Sequence, residues 1–70
     1  MRKAGAHLTQ RELDVLRLLA QDCTCAQAAV ALGISVNTVA SHLKTAYRKL
    51  EVHSAAAAVA RALELRLLRR

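Results

Sequence analysis

The sequence predicts an all-α domain of four short helices, and three observations carry that prediction. The 70 residues contain no Pro and only two Gly, so little interrupts a helix. Large apolar residues recur at spacings of three and four, the period of a helix with one buried face. A Thr or Ser stands directly before each of four such runs, where a side-chain oxygen can cap a helix. A chain of this length permits one domain, near the lower limit for a self-sufficient core. Hydrophobic residues make up 54% of it, but many are Ala, and Tyr47 is the only aromatic.

Met1 to His7 show no periodicity and are expected to form a flexible leader, with residues 8–70 as the domain. Thr9 and Glu12 form a capping box, and Leu8 stands at the staple position before it. Val15, Leu16, Leu18 and Leu19 then give a helix running to about Gln21. Glu12 falls near that apolar face, where it is expected to hold backbone amides or a basic partner. Thr24 and Gln27 repeat the capping box for a short second helix rich in Ala. Gly33, flanked by Leu32 and Ile34, is its left-handed stop.

Ser35 caps the third helix. Val36, Val39, Leu43, Ala46, Tyr47 and Leu50 form its apolar stripe. The opposite side carries Asn37, Ser41, Lys44, Thr45 and Arg48, with Ala40 at the edge. Glu51-Val52-His53 breaks the pattern, and Ser54 caps a fourth helix from Ala55 to about Leu68. Ala58, Val59, Ala62 and Leu63 should face the bundle. Leu65, Leu67 and Leu68 add more apolar surface than one helix face can bury.

Formal net charge is +6, from 11 Lys and Arg against 5 Asp and Glu, which favours a polyanionic partner. No apolar run reaches the roughly 18–20 residues of a membrane span, and no signal peptide is evident. Cys23 and Cys25, one residue apart, suit neither an ordinary disulfide nor a zinc site. They read as small half-buried groups in a reducing cytoplasm. No catalytic arrangement, metal site or cofactor motif stands out.

A short helix, a glycine turn and a third helix with short polar residues early and basic ones later make a helix-turn-helix. Such a helix fits the major groove of B-DNA, because short side chains let the backbone approach base edges and basic ones reach guanine or phosphate. Asn37, Ser41, Lys44 and Arg48 are the residues of that face.

The motifs also resemble a known family. Leu8-Thr9-x-Arg11-Glu12 with Val15-Leu16, then Ala29, Leu32-Gly33-Ile34-Ser35-x-x-Thr38-Val39-x-x-His42-Leu43, then Lys49-Leu50-x-Val52-x-Ser54 and Ala58-Val59, look like the LuxR-type (GerE-like) DNA-binding domain. The resemblance runs from about Leu8 to Leu68. It implies a transcription regulator whose third helix reads double-stranded DNA and whose fourth helix pairs with its copy in a homodimer. It places base reading on Ala40, Ser41 and Lys44, and backbone contacts on Thr24, Asn37, Thr38, Tyr47, Arg48 and Lys49.

Taken with the helix face, the expected base-reading set is Asn37, Ala40, Ser41 and Lys44. The expected backbone set is Thr24, Thr38, Thr45, Tyr47, Arg48 and Lys49. The expected dimer residues are Val59, Leu63, Arg66 and Leu67. RNA polymerase or a regulatory domain N-terminal to this one are the further partners implied, in the bacterial cytoplasm and on the nucleoid when bound.

Five positions depart from the family pattern. Asp22 stands where the family has glycine, so the first turn is expected to differ. Gln27-Ala28 replaces a Glu-Ile pair and thins the contact between helices. Ala40 often corresponds to a longer polar residue, and Ala55 replaces a common arginine. The alternative is a promoter-element binder like sigma-factor region 4, which shares the helix-turn-helix. Sigma factors usually carry a basic residue where His42 stands, and they lack the Val52-x-Ser54 join. A peripheral membrane binder, suggested by the Leu-rich and Arg-ended last helix, is the third reading.

Overall fold

The computed structural model describes residues 7–68. Within them lie four helices and no strand: α1 (Gln10–Ala20), α2 (Cys25–Leu32), α3 (Val36–Leu50) and α4 (Ala55–Glu64). Most of the expected leader, residues 1–6, falls outside the described residues.

All four expected N-caps are in place. The hydroxyls of Thr9, Thr24, Ser35 and Ser54 accept from the amides of Glu12, Gln27, Thr38 and Ala57, each three residues on. In α1 and α2 the box is reciprocal. The Thr9 amide donates to Glu12 Oε1 at 2.9 Å and the Thr24 amide to Gln27 Oε1 at 2.8 Å. Each cap satisfies an amide that has no partner inside the helix, and losing one typically costs about 1 kcal/mol.

The helix ends are as uniform as the starts. Each closes with paired bonds from two successive amides to carbonyls three and five residues back. At α2 these are Gly33 N–H to Val30 O and Ile34 N–H to Ala29 O; at α3 they are Glu51 N–H to Arg48 O and Val52 N–H to Tyr47 O. Asp22 and Cys23 close α1, and Arg66 and Leu67 close α4, in the same way. This Schellman geometry needs one residue in the left-handed region. Asp22 (φ 69°), Gly33 (φ 70°), Glu51 (φ 60°) and Arg66 (φ 61°) supply it. Asp22 thus adopts the conformation a glycine would have, and the first turn keeps the Schellman closure seen after the other helices.

A side chain in that conformation is strained, whereas Gly is not. Glu51→Gly is therefore expected to stabilise the domain by about 0.5–1 kcal/mol, the relief of strain exceeding the extra entropy of Gly in the unfolded chain. Urea unfolding measures this directly.

α3 is the axis of the domain, with α1, α2 and α4 all packed against it and α4 also packed on α1. The core is Val15 and Leu16 of α1, Ala28 and Ala29 of α2, Val39, Leu43, Ala46 and Leu50 of α3, Ala58 and Ala62 of α4, and Leu68. Five of these eleven are Ala, so the helices approach closely and each large side chain carries a high share of the burial.

Two expectations are corrected. Val36 is 49% exposed rather than part of the core stripe. It is the first residue of α3, and Cβ bonds tilt toward a helix N-terminus, which carries this side chain away from the packed body. α4 ends at Glu64, not near Leu68. The left-handed Arg66 turns the chain so that Leu68 returns to the core, leaving it 6% exposed, while Leu65 and Leu67 are half-buried. The surplus leucines are largely consumed inside the domain.

Candidate nucleic-acid interface

The second helix, the Gly33 turn and α3 place one long helix on the surface with one face free. At about 100° per residue, Asn37, Ala40, Ser41, Lys44 and Arg48 fall within one arc of α3. All five are exposed. The buried Val39, Leu43, Ala46 and Leu50 hold the opposite side against the other helices. The outward arc therefore begins with short polar or small side chains and ends in two cations. No acidic residue lies on α3, and among the described residues neither Lys44 nor Arg48 has an acidic partner. Both cations are available to an external anion.

The remaining expected contact residues are less uniform. Thr24 and Thr38 are exposed, but their hydroxyls already serve in caps: Thr24 accepts from the Gln27 amide, and Thr38 Oγ1 lies 2.9 Å from Ser35 Oγ. A hydroxyl offers one donor and two acceptor sites, so the Thr24 O–H is still free to donate, and Thr38 also keeps unused bonding capacity. Thr45 and Tyr47 are half-buried on the flanks of α3. Burial pushes the Tyr47 hydroxyl above its usual range, with a smaller contribution from nearby Cys25, so it remains a neutral donor.

Lys49 is placed differently from the others. Its Nζ donates to Glu12 Oε1 at 3.0 Å and to the carbonyl of His7 at 3.1 Å. The Glu12 side chain is only 4% exposed and that of Lys49 32%. Burial alone would raise the Glu12 carboxyl. The Thr9 amide and the Lys49 ammonium outweigh it and hold the carboxyl below its ordinary value of 4.5. The sequence anticipated a basic partner for Glu12, but nothing in it singled out a residue 37 positions away.

Of the four expected dimer residues, Val59 and Leu63 line a shallow open groove between the end of α1 and α4. Arg66 and Leu67 lie beyond the end of α4, in the turn that follows it. Cys23 and Cys25 are free thiols and half-buried. Among the described residues no cluster of His, Cys, Asp or Glu is placed to hold a metal ion, and no helix is long and apolar enough to cross a membrane.

A four-helix arrangement with a glycine turn before an outward-facing third helix defines the helix-turn-helix class. Residues 6–62 match the model of the family described as bacterial regulatory proteins, luxR family, and the chain belongs to that family. The chain is 51% identical over 51 residues to the nitrate/nitrite response regulator protein NarP of Escherichia coli K12, covering 73% of this chain and 24% of NarP. It is 45% identical over 62 residues to the quorum sensing-dependent transcriptional regulator RpaR of Rhodopseudomonas palustris, covering 89% of this chain and 26% of RpaR. It is 41% identical over 58 residues to the spore germination protein GerE of Bacillus subtilis, covering 83% of this chain and 78% of GerE. The solved structure of the transcription factor GerE superposes with a TM-score of 0.85 at 31% identity, covering 97% of each chain. The chain thus spans about a quarter of NarP and RpaR, but most of GerE.

Proposed function

We propose that this domain binds double-stranded DNA sequence-specifically and regulates transcription, with α3 in the major groove. The observation that carries the reading is the exposed, acid-free arc of α3. Asn37, Ala40, Ser41 and Lys44 read base edges, the small Ala40 through apolar contact of the kind a thymine methyl offers. Arg48, Thr24, Thr38, Thr45 and Tyr47 contact the phosphate backbone and set the register. The net charge of +6 supplies the general attraction.

Lys44→Ala tests the assignment. Affinity for the preferred duplex is expected to fall by about 1–3 kcal/mol if Lys44 meets a base edge, with preference relaxed at that position. The helical circular dichroism should not change, because Lys44 is exposed and has no acidic partner among the described residues. Unchanged DNA affinity in a folded variant would remove Lys44 from the interface.

The reading extends to a homodimer through α4. Its support is the groove beside Val59 and Leu63, whose remaining walls on α4 are mainly Ala55, Ala56 and Ala60, small enough for a second helix to come close. Arg66 and Leu67 lie in the turn that follows α4 and are not part of the groove's lining. Sedimentation of the domain on a two-site duplex is expected to show two copies bound. Monomer only, both free and on DNA, would refute the dimer while leaving DNA binding intact.

A further inference from the structure

We propose that Lys49 is a positioning residue rather than a phosphate ligand: with Glu12 and the His7 carbonyl it forms a latch that fixes the start of α1 against the last turn of the DNA-reading helix. The inference rests on the reading of α3 given above. Three observations carry it.

First, the ammonium is already committed. Two of its donors reach Glu12 Oε1 at 3.0 Å and His7 O at 3.1 Å. Second, the carboxylate cannot release it cheaply. Glu12 is buried and its Oε1 also takes the Thr9 amide at 2.9 Å, so withdrawing Lys49 to a phosphate would strand a buried negative charge. Third, Lys49 lies about 140° around α3 from Lys44, off the DNA-facing arc and on the side toward α1.

The latch has a geometric consequence. A single carboxylate caps α1 and, through Lys49, ties α1 to the end of α3, which finishes at Leu50. The His7 bond extends the tie to the residue before Leu8, so the path by which the chain enters α1 is fixed relative to α3. A shift of that incoming segment is thereby transmitted to the helix that meets DNA. Arg48, one residue earlier and exposed, takes the phosphate role at this end of α3.

The test compares the whole 70-residue chain with Lys49→Met, Glu12→Gln, the double variant and Lys49→Arg. Affinity for a duplex selected from random DNA is measured across a salt series, at a temperature where each is folded. Loss of one phosphate contact lowers the slope of log K against log salt by about 0.9. Lys49→Met is expected to weaken binding by about 2–30-fold, the range for residues that act on a site without touching it, with no change of slope. Glu12→Gln should weaken binding similarly, and the double variant should add little. Lys49→Arg, which keeps a cation within reach of Glu12, should largely retain affinity.

A slope reduced by about 0.9 in Lys49→Met would show a phosphate contact and overturn the proposal. Wild-type affinity in a folded Lys49→Met would overturn it too. A Glu12→Gln variant that binds more tightly with a steeper slope would do the same, since the freed ammonium would then be meeting DNA. Should Lys49→Met not fold, Glu12→Gln and Lys49→Arg carry the comparison. If the wild-type chain binds no duplex, the DNA reading fails, and the latch is judged from amide exchange. Faster exchange in Glu12→Gln at Thr9 and in the last turn of α3 supports it, and unchanged exchange refutes it.

Discussion

Leu50→Ala is expected to destabilise the domain by about 2–5 kcal/mol, the range for truncating a fully buried Leu. Among the described residues Leu50 is one of the largest fully buried side chains, together with Leu16, Val15 and Val39. It sits where α3 ends and the chain turns through Glu51 toward α4. Because much of the core is Ala, few neighbouring side chains are large enough to move in and fill the cavity, which favours the upper half of the range. A domain of this length has only about 4–10 kcal/mol in total. The melting temperature should therefore fall by about 10–30 °C, and much of the variant should be unfolded near physiological temperature. A fall of only a few degrees would mean that Leu50 does not carry the share of the core that its full burial implies.

The second large effect concerns Lys49. Removing one partner of a fully buried ion pair costs about 3–5 kcal/mol, because the other charge is left uncompensated. Lys49 itself reaches solvent, with a side chain 32% exposed, so screening reduces the figure for Lys49→Met to about 2–4 kcal/mol at neutral pH. The same pair gives a pH signature. The folded carboxyl of Glu12 is held below its ordinary value of 4.5, so the folded state binds that proton less readily than the unfolded chain. Its contribution is complete above 4.5 and is lost as pH falls through the lower, folded value. Wild type should lose stability over that acid window, and Glu12→Gln should lose less, having no carboxyl to protonate. Identical acid dependence in the two would contradict the assignment.

How far these features were legible in the sequence differs by kind. Caps are local: a Thr or Ser three residues before its amide partner can be read from the chain, and all four were in place. The arc of α3 was equally legible, because it needs only the helical period and the side-chain types. The end of α4 was not. Arg66 occupies the left-handed region without being Gly or Asn, so nothing in its type announced the turn. The leucines after it then read as exposed surface when Leu68 is buried. Asp22 and Glu51 adopt the same left-handed conformation without being Gly, yet their turns were expected, the first from the family's glycine position and the second from the break in periodicity. The Glu12–Lys49 pair was half-legible: the near-buried position of the carboxylate implied a cation, but which one depends on how α1 crosses α3. Val36 misled because periodicity does not say where a helix leaves the body it packs on.

In the proposed function the exposed arc of α3 reads base sequence. This is tested most directly by selecting duplexes from a random pool with the wild-type chain and with Lys44→Ala side by side. Wild type is expected to enrich a defined element, present as two related half-sites if the domain pairs on DNA, and Lys44→Ala to relax the preference at one or two positions within each half-site. Recovery of no common element by wild type, or of the same element with unaltered preference by Lys44→Ala, would contradict it.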